Sequence, residues 1–144
     1  MTRARPTVCI VGGACIEGDA ISAAIAADCR ALLESDLYDP FVLTGCTEVD
    51  VPGAEVRGLK GLLYHPRFVD ADIRLFHFGF YSELMDACVL GAGRVKRVVR
   101  YHNITPSEFV HQSQRRGIEK SHRQVAAIAG AEEVWPISRF NGRS

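Results

Sequence analysis

The sequence predicts an α/β fold, a doubly wound domain with an open, mainly parallel sheet, spanning residues 1–144 as one unit. Three observations predict it. Four short apolar or β-branched runs, Thr7 to Val11 (TVCIV), Phe41 to Thr44, Ile73 to Phe78 (IRLFHF) and Val95 to Tyr101 (VKRVVRY), have the length and composition of buried parallel strands. An alanine-rich segment of helical periodicity lies between the first two, so the chain opens as a βαβ unit with a right-handed crossover. At 144 residues the chain is also long enough to bury one proper core.

Taken in order, the first strand ends on Gly12 and Gly13, which allow a sharp turn. Asp19 is a good N-cap, and the following helix carries its apolar residues at Ile21, Ala24, Ile25, Cys29, Leu32 and Leu33 before fading at Ser35. Gly45 closes the second strand. Residues 46–69 are rich in glycine and proline; a short strand is expected around Ala54 to Arg57, then irregular structure or a short helix. Gly79 breaks the IRLFHF strand, and Ser82 can cap a helix running to Leu90. After Tyr101, Pro106 stops the strand character, and Ser107 with Glu108 begins a helical region to Gly130, interrupted near Gly117. Glu133 to Ile137 (EVWPI) is a last strand, with Ser138 as the cap of a further helix. A chain that stops six residues later is expected to be a fragment or a truncated gene product.

Composition excludes several classes. Lysine plus arginine and aspartate plus glutamate both number 17, so net charge does not call for nucleic acid. No apolar run approaches the roughly 20 residues of a membrane span, and the basic start leads into a strand instead of a signal peptide, so a cytoplasmic location is expected. The five cysteines are scattered without a CxxC pair or zinc-type spacing, which points to thiols in a reducing compartment and to no metal site. Cys9 and Cys29 fall in apolar patterns and are expected in the core; Cys15, in a glycine-bearing loop, keeps open the option of a reactive thiol.

The chemistry-bearing residues gather at predicted strand ends. Gly13 to Gly18 has P-loop spacing, but Asp19 and Ala20 stand where lysine and serine or threonine would meet phosphate and magnesium. The glycines also miss the dinucleotide pattern. What remains is either an ordinary turn capped by Asp19 or a helix N-terminus suited to a sugar hydroxyl or anion. His77 and His102 end two different strands. His77 either packs beneath a helix, alternating with Phe76 and Phe78, or joins His102 at one crevice with Asn103, Tyr81 and Ser82. His102 either bonds loop backbone or serves a site. The basic residues Arg94, Lys96, Arg97, Arg100, Arg115, Arg116, Lys120 and Arg123 read as solvated faces, since acids intersperse them; the competing reading is contact with an anionic membrane surface.

The segment Tyr101 to Phe109 (YHNITPSEF) resembles the YHNITPxEF segment in N-terminal domains of retaining GT-B-type glycosyltransferases of family 4. GDAIS (Gly18 to Ser22) resembles that family's GDAIxN, HFGFYSELMD (His77 to Asp86) its HYSIGSPL-type loop, and ISRFNGRS (Ile137 to Ser144) its SEFNRxEL helix start. One departure is Ala23, where the GDAIxN motif has asparagine. The resemblance implies the Rossmann-like, acceptor-side half of a GT-B fold, facing a second domain that holds a nucleotide-sugar donor. It implies transfer of the sugar, with retained anomeric configuration, to a carbohydrate or lipid-linked acceptor at the inner face of the cytoplasmic membrane in some members. His102 would be the catalytic cleft residue; Gly18, Asp19, His77, Tyr81, Ser82, Asn103 and Ser138 would bind substrate, with no cofactor and no metal. Without the donor domain the 144-residue chain is expected to be inactive alone. The alternative is a stand-alone flavodoxin-like or sugar-binding module that works with a partner protein.

Overall fold

A computed structural model describes residues 4–91, 93–102 and 112–136. It is a doubly wound α/β fold. Six parallel strands, β1 (Thr7–Gly12), β2 (Asp39–Thr44), β3 (Gly53–Glu55), β4 (Ile73–Phe78), β5 (Lys96–Tyr101) and β6 (Glu133–Pro136), form one open sheet in the order β3-β2-β1-β4-β5-β6. Order reverses between β1 and β4, which leaves a crevice beyond their carboxyl ends. The register Val11↔Phe76 and Phe78↔Tyr101 brings the ends of β1, β4 and β5 to a common rim.

Alternate residues along each strand feed two apolar layers. Val8, Ile10, Val42, Leu75 and Val98 pack with Ile25 and Cys29 of α1 (Ala20–Ser35). Cys9, Val11, Leu43, Phe76, Phe78 and Val99 pack on the other face. There they meet α2 (Gly58–Leu63), α3 (Pro66–Val69), a 3₁₀ helix (Glu83–Val89) and α4 (Gln112–Ile128). Phe76 and Phe78 are 0% exposed, so removal of either ring would open a large core cavity.

Local signals account for the boundaries. The Asp19 carboxylate accepts from the Ser22 amide (2.9 Å) and starts α1; Asp36, at φ 57°, ends it. Ser82 accepts from the Leu84 amide (3.2 Å) and starts a 3₁₀ helix, Glu83–Val89, where a helix to Leu90 is expected. Strand β3 covers Gly53–Glu55, shorter than and shifted from the expected Ala54 to Arg57, because Gly58 opens α2 at once. The expected break near Gly117 is a correction. Helix α4 runs through it unbroken, and the glycine serves packing: a Cβ there would stand 2.6 Å from Cζ of Phe80. Among the described residues no helix is long and apolar enough to cross a membrane.

Candidate functional site

Four side chains from three elements form a polar chain under the carboxyl rim. His77 lies near the end of β4 on the α1 face, between apolar neighbours, and its side chain is 0% exposed. Its Nδ1 is 3.0 Å from Nε2 of His102, the residue just past β5, and the two rings lie 5.2 Å apart at 29°. Its Nε2 is 3.0 Å from Oδ2 of Asp28 on α1. The contact falls short of hydrogen-bond geometry, and neither buried atom has a hydrogen-bond partner among the described residues. Arg100, on the same face of β5, donates from Nη1 to the other carboxylate oxygen of Asp28 at 2.6 Å.

The charge of Asp28 follows from its neighbours. Burial raises the Asp28 carboxyl, but the contact with His77 and the charges of His77 and Arg100 bring it below its ordinary value, so it is an anion at neutral pH. The Asp28 anion faces Nε2 of His77 and favours a proton on that nitrogen. At the imidazole–imidazole contact one nitrogen donates and the other accepts, according to the tautomers of the two rings. Burial, reinforced by the charges of His77 and Arg100, pushes His102 down to about 4, so the ring stays neutral at pH 7.

Gly79 makes this approach possible. A Cβ there would fall 2.8 Å from the His102 Cβ and 2.6 Å from Cδ1 of Ile21, so a side chain would push apart the imidazole and helix α1. The His102 amide extends the β4–β5 ladder by donating to the Phe78 carbonyl at 2.7 Å.

Beside these residues, a cavity of ≈ 390 Å³ opens between the loops after β1 and β4, with Asp19, Gly79, Phe80, Tyr81 and Ser82 in its wall. His77 also borders it, through its main chain, since the ring has no exposed surface. The two loops touch closely: a Cβ on Gly13 would lie 3.2 Å from the Ser82 Cβ. Helix α4 holds the second loop from behind. Ser121 accepts from the Tyr81 amide (2.7 Å), and Gln124 accepts from the Ser82 amide (3.3 Å) while donating to its carbonyl (2.6 Å).

The structure thus brings together Asp19, Tyr81, Ser82 and the main chain of His77 at the cavity, and His102 joins them only through the His77 ring. The Asp19 carboxylate also accepts the Ser22 hydroxyl (2.7 Å), so one of its oxygens is committed to the helix cap. Gly18 stays apart from the cavity wall; exposed and at φ 79°, it shapes the loop. Asn103 and Ser138 lie outside the described residues, as does the motif beyond His102. His77 packs beneath α1 and contacts His102, as parts of its two readings have it, but its ring does not open into the cavity with Tyr81 and Ser82.

Asp28, Arg100, Ser121 and Gln124 were missed. Asp28 sits amid alanines on α1, and a single carboxylate in an amphipathic helix is indistinguishable from a surface one. The reading of Arg97 and Arg100 as solvated is corrected: Arg97 is 5% exposed, and Arg100 reaches inward to Asp28. A reactive Cys15 is also corrected. Its thiol is 0% exposed, and burial raises it above the ordinary value despite the opposing charge of Arg30. Cys9 and Cys29 are buried as expected.

Comparisons with protein-family models, with curated proteins and with solved structures each gave no match.

Proposed function

We propose that this chain is the acceptor-side half of a sugar-transfer site, the N-terminal domain of a retaining GT-B-type glycosyltransferase. The observation that carries this reading is a neutral imidazole, His102, held against His77 at the carboxyl edge where strand order reverses, with a cavity lined by Asp19, Tyr81 and Ser82 nearby. The neutral ring of His102, the outer carboxylate oxygen of Asp19 and the hydroxyl of Ser82 suit the mixed donors and acceptors of a carbohydrate. A neutral ring can accept from a sugar hydroxyl without drawing in a competing anion. In this reading a second domain presents the nucleotide-sugar across the crevice, and the chain by itself transfers nothing.

The test is saturation-transfer NMR with simple hexoses, phosphorylated polyols, NAD and ATP. Carbohydrate contact that disappears in His102→Ala, with amide shifts at Gly13, Gly79 and Ser82, is expected. Tight binding of NAD or ATP, or sugar transfer from a nucleotide-sugar by the chain alone, would overturn it.

A second reading, a flavodoxin-like or sugar-binding module completed by a donor-domain protein, draws on the α1 face. There an apolar groove of ≈ 450 Å³ runs between α1 and β6, bordered by Leu32, Leu75, Val98 and Trp135. Trp135 is 47% exposed in it. Protection of Trp135 fluorescence on mixing with such a protein would favour this second reading.

A further inference from the structure

The opposite, amino-terminal rim of the sheet holds another cavity, of ≈ 540 Å³, within the size range of small-molecule sites. Its floor is Arg74, the second residue of β4, which is 8% exposed. The guanidinium carbon lies 3.8 Å from the centroid of the Phe68 ring, and Nε donates to the Phe68 carbonyl at 3.1 Å. That is its sole hydrogen bond among the described residues, and none of their ion pairs includes it. Its register neighbour Cys9 supplies no negative charge, because burial pushes that thiol up to about 12.

A positive charge this deeply placed without a counter-ion is unfavourable, and its two terminal nitrogens keep their donors available. Gly91 borders the same cavity at φ 90°, and a Cβ there would stand 2.8 Å from Nη1 of Arg74, across the approach to it. Arg94 lies exposed at the cavity rim and adds a second positive charge. Leu63, Phe68 and Val95 provide apolar walls.

We propose that this cavity binds a small organic anion, its carboxylate or phosphate head on the Nη edge of Arg74 beneath Arg94 and its apolar body against Leu63, Phe68 and Val95. Two parallel N–H donors match either head group, and a charged hydrogen bond of this kind is about twice as strong as a neutral one. The site is separate from the carboxyl rim and does not depend on the sugar-transfer reading.

The experiment is ¹⁵N NMR titration of the 144-residue chain at low salt with benzoate, phenyl phosphate, inorganic phosphate and benzyl alcohol. Benzoate or phenyl phosphate should give saturable shifts at the Arg74 Nε–H and the Gly91 and Val95 amides, and should raise the melting temperature. Binding should weaken by about tenfold in Arg74→Gln and roughly threefold in Arg94→Gln. If Arg74→Gln does not fold, the exposed Arg94→Gln variant carries the test. Absence of a saturable shift with either organic anion at about 20 mM overturns the site, as does unchanged affinity in Arg94→Gln. Equal binding of inorganic and phenyl phosphate, or of benzyl alcohol and benzoate, overturns the organic anion as its ligand.

Discussion

Arg97 and Arg74 are register partners on neighbouring strands, share a face of the sheet and are 5% and 8% exposed, yet their surroundings are opposite. Arg97 is saturated. Its guanidinium donates to both oxygens of Glu132 and to the carbonyls of Cys88 (2.7 Å) and Gly130 (2.6 Å). Glu132 also accepts from the Arg97 amide (2.8 Å), and these bonds, the side-chain one foremost, hold its carboxyl down to about 2. Arg97 thereby ties the start of β5 to the 3₁₀ helix and to the turn before β6. Arg74 has one carbonyl and one aromatic face. Burial alone therefore does not say what a charge is for; the list of its partners does. A saturated charge fastens the fold, whereas an unsaturated one of equal depth is available to something else.

The carboxyl rim lies between these extremes. In the His77–Asp28–Arg100 chain the Arg100 link is a hydrogen bond and the His77 link a close contact without one, so it places these groups without acting as a strong clamp.

The strongest way to break the comparison is to remove each arginine in turn. Arg97→Met leaves two carbonyls and Glu132 without their donor and should lower unfolding free energy by about 3 kcal/mol in urea denaturation. Arg74→Met should lower it by only about 1 kcal/mol, because relief of an unpaired charge offsets the lost carbonyl bond. Equal losses would mean that both arginines are structural.

A smaller effect is expected from pH. His102 is lowered from its ordinary 6.5 to about 4, so between these values the unfolded chain binds more protons than the folded one. Stability should be fully present above pH 6.5 and fall as pH drops through the window to 4. After allowance for partial exposure, the loss is on the order of 2 kcal/mol. Asp28, lowered from 3.8, adds a further loss in the same direction as pH falls through its folded value. His102→Gln should flatten the slope between 6.5 and 4 but leave the more acidic limb; an unchanged slope would detach it from His102.

The smallest change is Gly79→Ala. Its Cβ must displace Ile21 or the His102 imidazole, which should cost about 1 kcal/mol and shift the ring signals of both histidines. Unshifted His77 resonances would mean that the two rings do not depend on this close approach.

How much of this was legible from residue order varies with the range of the interaction. Asp19 as a cap, Ser82 as a cap and the strands that end at Phe78 and Tyr101, beside His77 and His102, are short-range signals, and each is found where local chemistry puts it. Gly117 was misread because a glycine within a helical pattern carries the same local signal whether it breaks the helix or admits a ring from elsewhere; Phe80 decides between them. The carboxylate beneath His77 comes from 49 residues earlier, and the fork that saturates Arg97 from 35 residues later. No local pattern marks either one.

Strand periodicity, glycine turns and capping residues alone determined the α/β class and the parallel opening, because these preferences act within a few bonds of the residue that carries them. Tertiary structure alone decided which charges are paired. Asp28 faces His77, Glu132 grips Arg97 and no carboxylate of the described residues reaches Arg74, because the reach of a charge depends on distance in space, and only the folded sheet sets those distances.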